Sequence, residues 1–236
     1  MNMNMNMKVK FIFSIFILLI STLSMADNRP GFVCGRFNGN IVEVPRNYVY
    51  FIAEYEGYSY FDRRAVKNKE GCDANFTILP LRVTWPEMHP VDRMKPDLNE
   101  EEIRISVIPM TNSTASMNMF KDNSINEGFF SKRSDVYYDD ELDLYFVEQE
   151  ENILIKNEVE SYIMKRRIYW SENKNEVMSI IRCDWVQIKN EYYFCDINAR
   201  IPEIDASIQV NIKWNQMHQW RKILLKSKGF VIIHLK

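Results

Sequence analysis

Glycine is scarce in this 236-residue chain: there are seven, and five of them precede position 72. Phosphate-cradling loops and the sharp turn that presents a nucleophilic serine both need glycine, so those chemistries are disfavoured from the outset. Their motifs are missing too, with no G-x-S-x-G, H-E-x-x-H, G-x-x-x-x-G-K or C-x-x-C anywhere. Histidine is nearly absent, and His89, His218 and His234 lie far apart with no metal-ligand spacing. Each reads as a structural or surface residue. No strongly basic stretch balances the formal net charge of −2, which argues against a nucleic-acid partner. No metal or cofactor is expected from this inventory.

What is present begins at the N-terminus. Lys8 and Lys10 precede an apolar run from Phe11 to Leu23, and Ser24-Met25-Ala26 follows it. A positive segment, a short apolar segment and small residues before a break form the pattern of a cleaved secretory signal. The run is too short for a membrane span, which takes roughly 20 apolar residues. The working protein is therefore expected to be residues 27–236. Residues 1–26 carry two lysines and no acids, so cleavage takes the charge from −2 to −4. Cys34 follows Gly31-Phe32-Val33 and sits well past Ala26, so no lipid anchor is expected either. The reading is a soluble periplasmic or secreted protein, one β-rich domain or two lobes (27–110 and 135–236) joined by a polar loop at 111–134.

All four cysteines lie in the mature part, and an even count in an exported chain reads as two disulfides. One pairing follows from strand register. Val177, Ser179, Ile181, Cys183 and Trp185 alternate on one strand, and Tyr193, Cys195, Ile197, Ala199 and Ile201 on the next. A three-residue turn, Ile188-Lys189-Asn190, places Cys183 opposite Cys195, Ile181 opposite Ile197 and Trp185 opposite Tyr193. Directly opposed strand residues lie within disulfide reach. Cys34–Cys72 follows by elimination. On the chain-entropy account the longer loop stabilises by roughly 4 kcal/mol and the hairpin bridge by roughly 3 kcal/mol.

Hydrophobic periodicity predicts short strands at Ile41–Val44, Tyr48–Tyr55, Phe76–Trp85 and Ile103–Pro109. A meander follows, at Leu142–Val147, Ile153–Lys156, Tyr162–Trp170, Val177–Gln187, Glu191–Ile201 and Ala206–Trp214. A short helix is read at Met117–Asp122. Asn215 is positioned to cap a longer helix over about 215–227, whose stripe is Met217, Trp220, Ile223 and Leu224 and which Gly229 would stop. Phe230–Leu235 reads as a final strand. The fold class is α+β, mostly antiparallel β, with meander or sandwich-like sheets and one C-terminal helix.

Two features bear on function. Asp139, Asp140, Glu141 and Asp143 form an acidic cluster before a strand. A solvated turn is its simplest meaning. Recognition of a basic partner is the alternative, and a carboxylate-based hydrolase a remoter one, since it needs about 5–9 Å between paired acids. Tyrosine, tryptophan and arginine, the usual interface anchors, are plentiful, among them Tyr50, Tyr58, Tyr60, Arg64, Trp85 and Tyr138.

One stretch carries a resemblance. It runs through Cys34-Gly35-Arg36-Phe37-Asn38-Gly39, Val44-Pro45-Arg46-Asn47-Tyr48-Val49-Tyr50-Phe51, Glu54-Tyr55-Glu56-Gly57, Gly71-Cys72-Asp73-Ala74, Leu79-Pro80 and Thr84-Trp85-Pro86. It resembles the exported immunity proteins paired with type VI secretion lipase (phospholipase) effectors of Gram-negative bacteria, and it fades after about Pro109. The resemblance implies a periplasmic, non-catalytic protein that binds and neutralises one cognate lipase toxin. The contact residues to test are then Asp139, Asp140, Glu141 and Asp143, with Trp85 as an apolar anchor. A non-catalytic adhesin or ligand-binding module is the competing expectation. A deep apolar pocket would favour that module, and exposed aromatics on an open surface would favour a protein partner.

Overall fold

The computed structural model describes residues 28–91, 101–110, 117–126, 135–154, 161–186 and 191–236. The expected signal at 1–26 and the turn at 188–190 lie outside the described residues.

Two strands, β1 (Phe32–Phe37) and β2 (Asn40–Pro45), form a hairpin. Nine more make one sheet: β3 (Glu54–Tyr55), β4 (Phe76–Trp85), β5 (Glu101–Pro109), β6 (Tyr137–Asp139), β7 (Leu144–Leu154), β8 (Ser161–Asn173), β9 (Glu176–Val186), β10 (Glu191–Ile201) and β11 (Ala206–Lys213). Their order is β3-β4-β5-β11-β10-β9-β8-β7-β6, and the named pairings are antiparallel. Strands from both sides of segment 111–134 share this sheet, because β11 hydrogen-bonds to β5. Among the described residues two α-helices complete the set, α1 (Met117–Ile125) and α2 (Trp220–Ile232). The α+β, mostly antiparallel architecture is as the sequence reads.

Strict alternation explains the layering. Ile103, Ile105 and Val107 of β5, Ile208, Val210 and Ile212 of β11, and Cys195, Ile197 and Ala199 of β10 are all buried on one face. The β1–β2 hairpin and α2 cover that face, through Val33, Phe37, Val42 and Val44 from the hairpin and Trp220, Ile223, Leu224, Phe230 and Val231 from the helix. Gly35 lets the hairpin settle, since a Cβ there would meet the Phe76 ring at 2.5 Å. On the other face a second cluster of Val147, Ile168, Trp170, Val177 and Ile180 is packed against Met117 and Ile125 of α1. This cluster occupies only the β7–β9 end.

Both disulfides form, Cys34–Cys72 and Cys183–Cys195. The hairpin register holds at Cys183↔Cys195 and Ile181↔Ile197, but Trp185 pairs with Tyr192 rather than Tyr193. A β-bulge between Tyr192 and Phe194 takes up the extra residue. Bulges re-aim side chains, and this one puts the Tyr192 ring 5.2 Å from Trp214.

Several expected elements differ. Asn215 caps nothing: residues Trp214–Gln219 form a 3₁₀ turn in which the Gln216 side chain accepts from the Lys213 amide at 2.9 Å. The helix begins at Trp220 and runs through Gly229 to Ile232, so the first half of the predicted final strand Phe230–Leu235 is helix and a turn follows it. Glycine costs a helix about 1 kcal/mol relative to alanine. Continuing the stripe buries Phe230 and Val231, which outweighs that cost. Only the tail lies beside β2, through a bridge between Leu235 and Val42 and a bond from the Glu43 amide to the His234 carbonyl. The predicted strand Tyr48–Tyr55 is mostly turn and coil, with Arg46–Tyr48 in a 3₁₀ turn and β3 confined to Glu54–Tyr55. The strand β7 joins most of the predicted segment Leu142–Val147 to the start of the predicted segment Ile153–Lys156, whose residues 155 and 156 lie outside the described residues.

Candidate partner-binding face

The part of the second face that α1 leaves uncovered carries a row of polar side chains. Strand register places Arg82 opposite Arg104, Arg104 opposite Asn211, Asn211 opposite Asp196, and Asp196 opposite Arg182. Past Arg182 the row turns apolar, to Ile168 and Val147, and there α1 covers it. The neighbouring row behaves alike, running Pro80, Ser106, Gln209, Asn198, then Ile180 and Trp170. Among the described residues, α1 sits where these rows turn apolar and leaves their polar part uncovered.

Ion pairs lace the open part. Arg82 Nε donates to Glu102 Oε2 at 2.7 Å, and Arg104 Nη2 lies 3.4 Å from Glu102 Oε1. Asn211 Nδ2 donates to Asp196 Oδ1 at 2.9 Å, and Arg182 Nη2 lies 3.6 Å from Asp196 Oδ2. Arg182 Nε is buried, 3.8 Å from Asp184 Oδ2, with no hydrogen-bond partner among the described residues. The Arg82 and Arg104 guanidiniums sit 5.6 and 5.3 Å from the Tyr50 ring centroid, within cation–π range. A groove of about 520 Å3 runs here between the Tyr50–Ile52 segment and the exposed Phe194.

Beyond Ile52 and Glu54 a second depression of about 460 Å3 continues onto the loop that follows β3. This loop and the segment before β3 expose large apolar side chains: Phe51, before the strand, is 57 % exposed, and Phe61 88 % and Val66 90 % after it, with Tyr58 and Tyr60 beside them. The rings contact one another edge-on, Phe51–Tyr60 and Tyr60–Phe61 both at 5.5 Å. Phe51 has φ +63°, a conformation a bulky side chain rarely takes and one that gathers at functional sites.

The loop is also fastened. Asn68 accepts from the Tyr58 amide at 2.8 Å and donates to its carbonyl at 2.7 Å. Asp62 caps the 3₁₀ turn Arg63–Lys67 and pairs with Arg64, and that bond holds its carboxyl below the usual range. Arg64 stacks 4.2 Å from the Tyr58 ring centroid. Cys72 closes the loop onto Cys34, whose carbonyl accepts from the Tyr55 hydroxyl at 2.8 Å. A contiguous apolar patch of aromatic and arginine side chains is an interface signature, and prior ordering lowers the entropy lost on binding.

The fold has a solved counterpart. An immunity protein of the Stenotrophomonas maltophilia type IV secretion system matches with a TM-score of 0.56 at 15% identity, over 87% of this chain and 94% of that one. At this identity the likeness is one of fold. No protein-family model matches the chain, and no curated protein matches it.

The residues singled out from the sequence fall elsewhere. Asp139 Oδ1 accepts from the Glu141 and Leu142 amides at 3.1 and 3.0 Å, so it shapes the β6–β7 turn. Asp143 pairs with the Tyr138 hydroxyl and with Arg221 of α2, and those two bonds depress its pKa. Asp140 and Glu141 are exposed. Trp85 is 5 % exposed and donates to Gln219 Oε1 at 3.2 Å, so it is a packing residue and not an anchor offered to a partner. Of the aromatics noted in the sequence, Tyr50, Tyr58 and Tyr60 do reach the surface.

Arg82, Arg104, Asp196, Asn211, Phe51 and Phe194 went unrecognised. The polar half of the alternation in β4, β5, β10 and β11 was the one signal for Arg82, Arg104, Asp196 and Asn211, and Phe51 and Phe194 carried none. Among the described residues, the one cluster with metal-ligand types is Cys34, Cys72 and Glu43. Its two sulfurs are bonded to each other, and Glu43 is paired with Arg29 and Lys236. No helix among the described residues is long and apolar enough to cross a membrane.

Proposed function

We propose that the mature chain is an exported immunity protein that binds and neutralises one cognate secretion-system toxin. The observation that carries this reading is the fastened aromatic loop beside an open, arginine-bearing sheet face, on a fold shared with a secretion-system immunity protein. An open surface with exposed rings suits a protein partner better than an enclosed small-molecule site. The two disulfides suit work in an oxidising compartment, and the periplasm is the compartment proposed. The resemblance around Cys34–Pro86 points to a type VI lipase effector as the toxin. The immunity protein would act as an inert plug, covering the lipase entrance or holding its lid shut. The exposed acids Asp140 and Glu141 are proposed to add a long-range attraction to a basic part of the toxin.

Co-expression with the protein of the adjacent reading frame, directed to the periplasm, tests the reading. Rescue of growth and a stable complex of the purified pair support it. Failure of both, or lipid hydrolysis by the purified chain alone, overturns it. Reversing Asp140 and Glu141 together should slow association without changing the melting temperature. An unchanged association rate removes the acidic turn from the interface.

A further inference from the structure

We propose that the groove between Tyr50 and Phe194 receives a segment of the toxin that docks a single carboxylate side chain against Arg104. The proposal rests on the immunity reading above and names what that face recognises.

The imbalance of charge is local to the Arg82–Arg104 end of the row, because farther along Asp196 is matched by Arg182 and Asn211. Arg82 and Arg104 stand directly opposite each other on β4 and β5, an arrangement of like charges that destabilises a sheet. Among the described residues Glu102 is the one carboxylate paired with both. Arg82 takes one of its oxygens through both Nε and Nη2, whereas Arg104 reaches the other only at 3.4 Å. Two guanidiniums share one negative charge, and the Arg104 side chain is 52 % exposed. Arginine binds carboxylates in a planar, two-pronged geometry. A second carboxylate arriving from outside would complete the pair.

The surroundings select a protein segment over a free anion. Phe51 and Phe194 flank the groove with exposed rings, and Ile78 and Pro80 line it. The track then continues past Ile52 into the second depression, bordered by Phe61 and Val66. That footprint is longer than a small acid can fill, and it pairs an arginine with aromatic posts, the composition of an interface hot spot. Glu54 lines both depressions where they meet. It repels a second acid there, as does Asp196 on the groove wall, so the segment must place its one carboxylate at Arg104 and apolar or basic side chains toward Glu54 and Asp196.

The test uses the purified mature chain and the toxin encoded by the adjacent reading frame, with affinity measured by calorimetry. Arg104→Glu and Phe194→Ala should each weaken binding roughly thirtyfold or more, the scale of a hot-spot residue. Arg104→Ala guards against misfolding, because it removes one of two opposed cations and should melt no lower than the parent. It too should weaken binding. Lys165→Glu on β8, outside the groove, should bind like the parent. A toxin carboxylate reversed to lysine should regain affinity for Arg104→Glu.

Parent-like binding by Arg104→Ala and Phe194→Ala overturns this proposal and leaves the immunity reading standing. Binding of succinate or inorganic phosphate alone, abolished by Arg104→Ala, would assign the groove to a small anion and overturn it as well. So would self-association in sedimentation that Arg104→Glu disrupts. If the parent chain fails to bind the toxin at all, the immunity reading fails and this inference falls with it.

Discussion

Arg82 and Arg104 face each other across adjacent strands and share the carboxylate of Glu102. All three lie on the part of the second sheet face that α1 leaves uncovered. Removing the shared acid leaves two cations opposed. Glu102→Gln should therefore lower stability by about 1–2 kcal/mol, read as a lower urea midpoint. Adding Arg104→Ala should recover part of that loss. A midpoint unchanged by Glu102→Gln would mean the two guanidiniums are already well separated by solvent.

The two disulfides should differ in weight. Cys183–Cys195 spans 12 residues and Cys34–Cys72 spans 38. Replacing each pair by serine should cost roughly 3 and roughly 4 kcal/mol. The Cys34–Cys72 pair also ties down the aromatic loop. Its loss should weaken toxin binding more than loss of the hairpin bridge, with both variants compared below their melting temperatures. Equal weakening would separate the loop from the interface.

Acid should act partly through Glu148. Burial works against its ionisation, but hydrogen bonds from Arg167 and from Tyr192, the latter at 2.8 Å, win and hold its carboxyl below the usual range. A depressed carboxylate adds stability that is complete above its unfolded pKa, about 4.3, and is lost as pH falls through the folded value. Urea midpoints between about pH 7 and pH 3 should fall less steeply for Glu148→Gln than for the parent. Parallel curves would assign the acid sensitivity to other groups.

Gly229 lies inside α2 with open space where a Cβ would stand. Gly229→Ala should raise stability by roughly 0.5–1 kcal/mol and leave toxin affinity unchanged. A drop in melting temperature would show that the helix tolerates glycine for a packing reason.

Alternation alone determined much of this protein. Ala206–Lys213 buries every second residue, and Glu191–Ile201 forms with the bounds expected, because one buried face forces period-two patterning and fixes register. The same pattern brought Cys183 to Cys195, and the even cysteine count left Cys34 for Cys72. The stripe on α2 was legible for a like reason, although its end was not. Whether a helix passes a glycine depends on what Phe230 and Val231 gain beyond it, and that gain belongs to the core they enter.

Only the tertiary structure decided the candidate interface. Tyr50, Phe51, Arg104, Asn211 and Phe194 come from distant parts of the chain, and strand order, which local periodicity does not encode, sets them side by side. Exposure was decided there as well. Trp85 and Phe61 are both large aromatics in sequence, yet packing against α2 buries the first and the fastened loop presents the second.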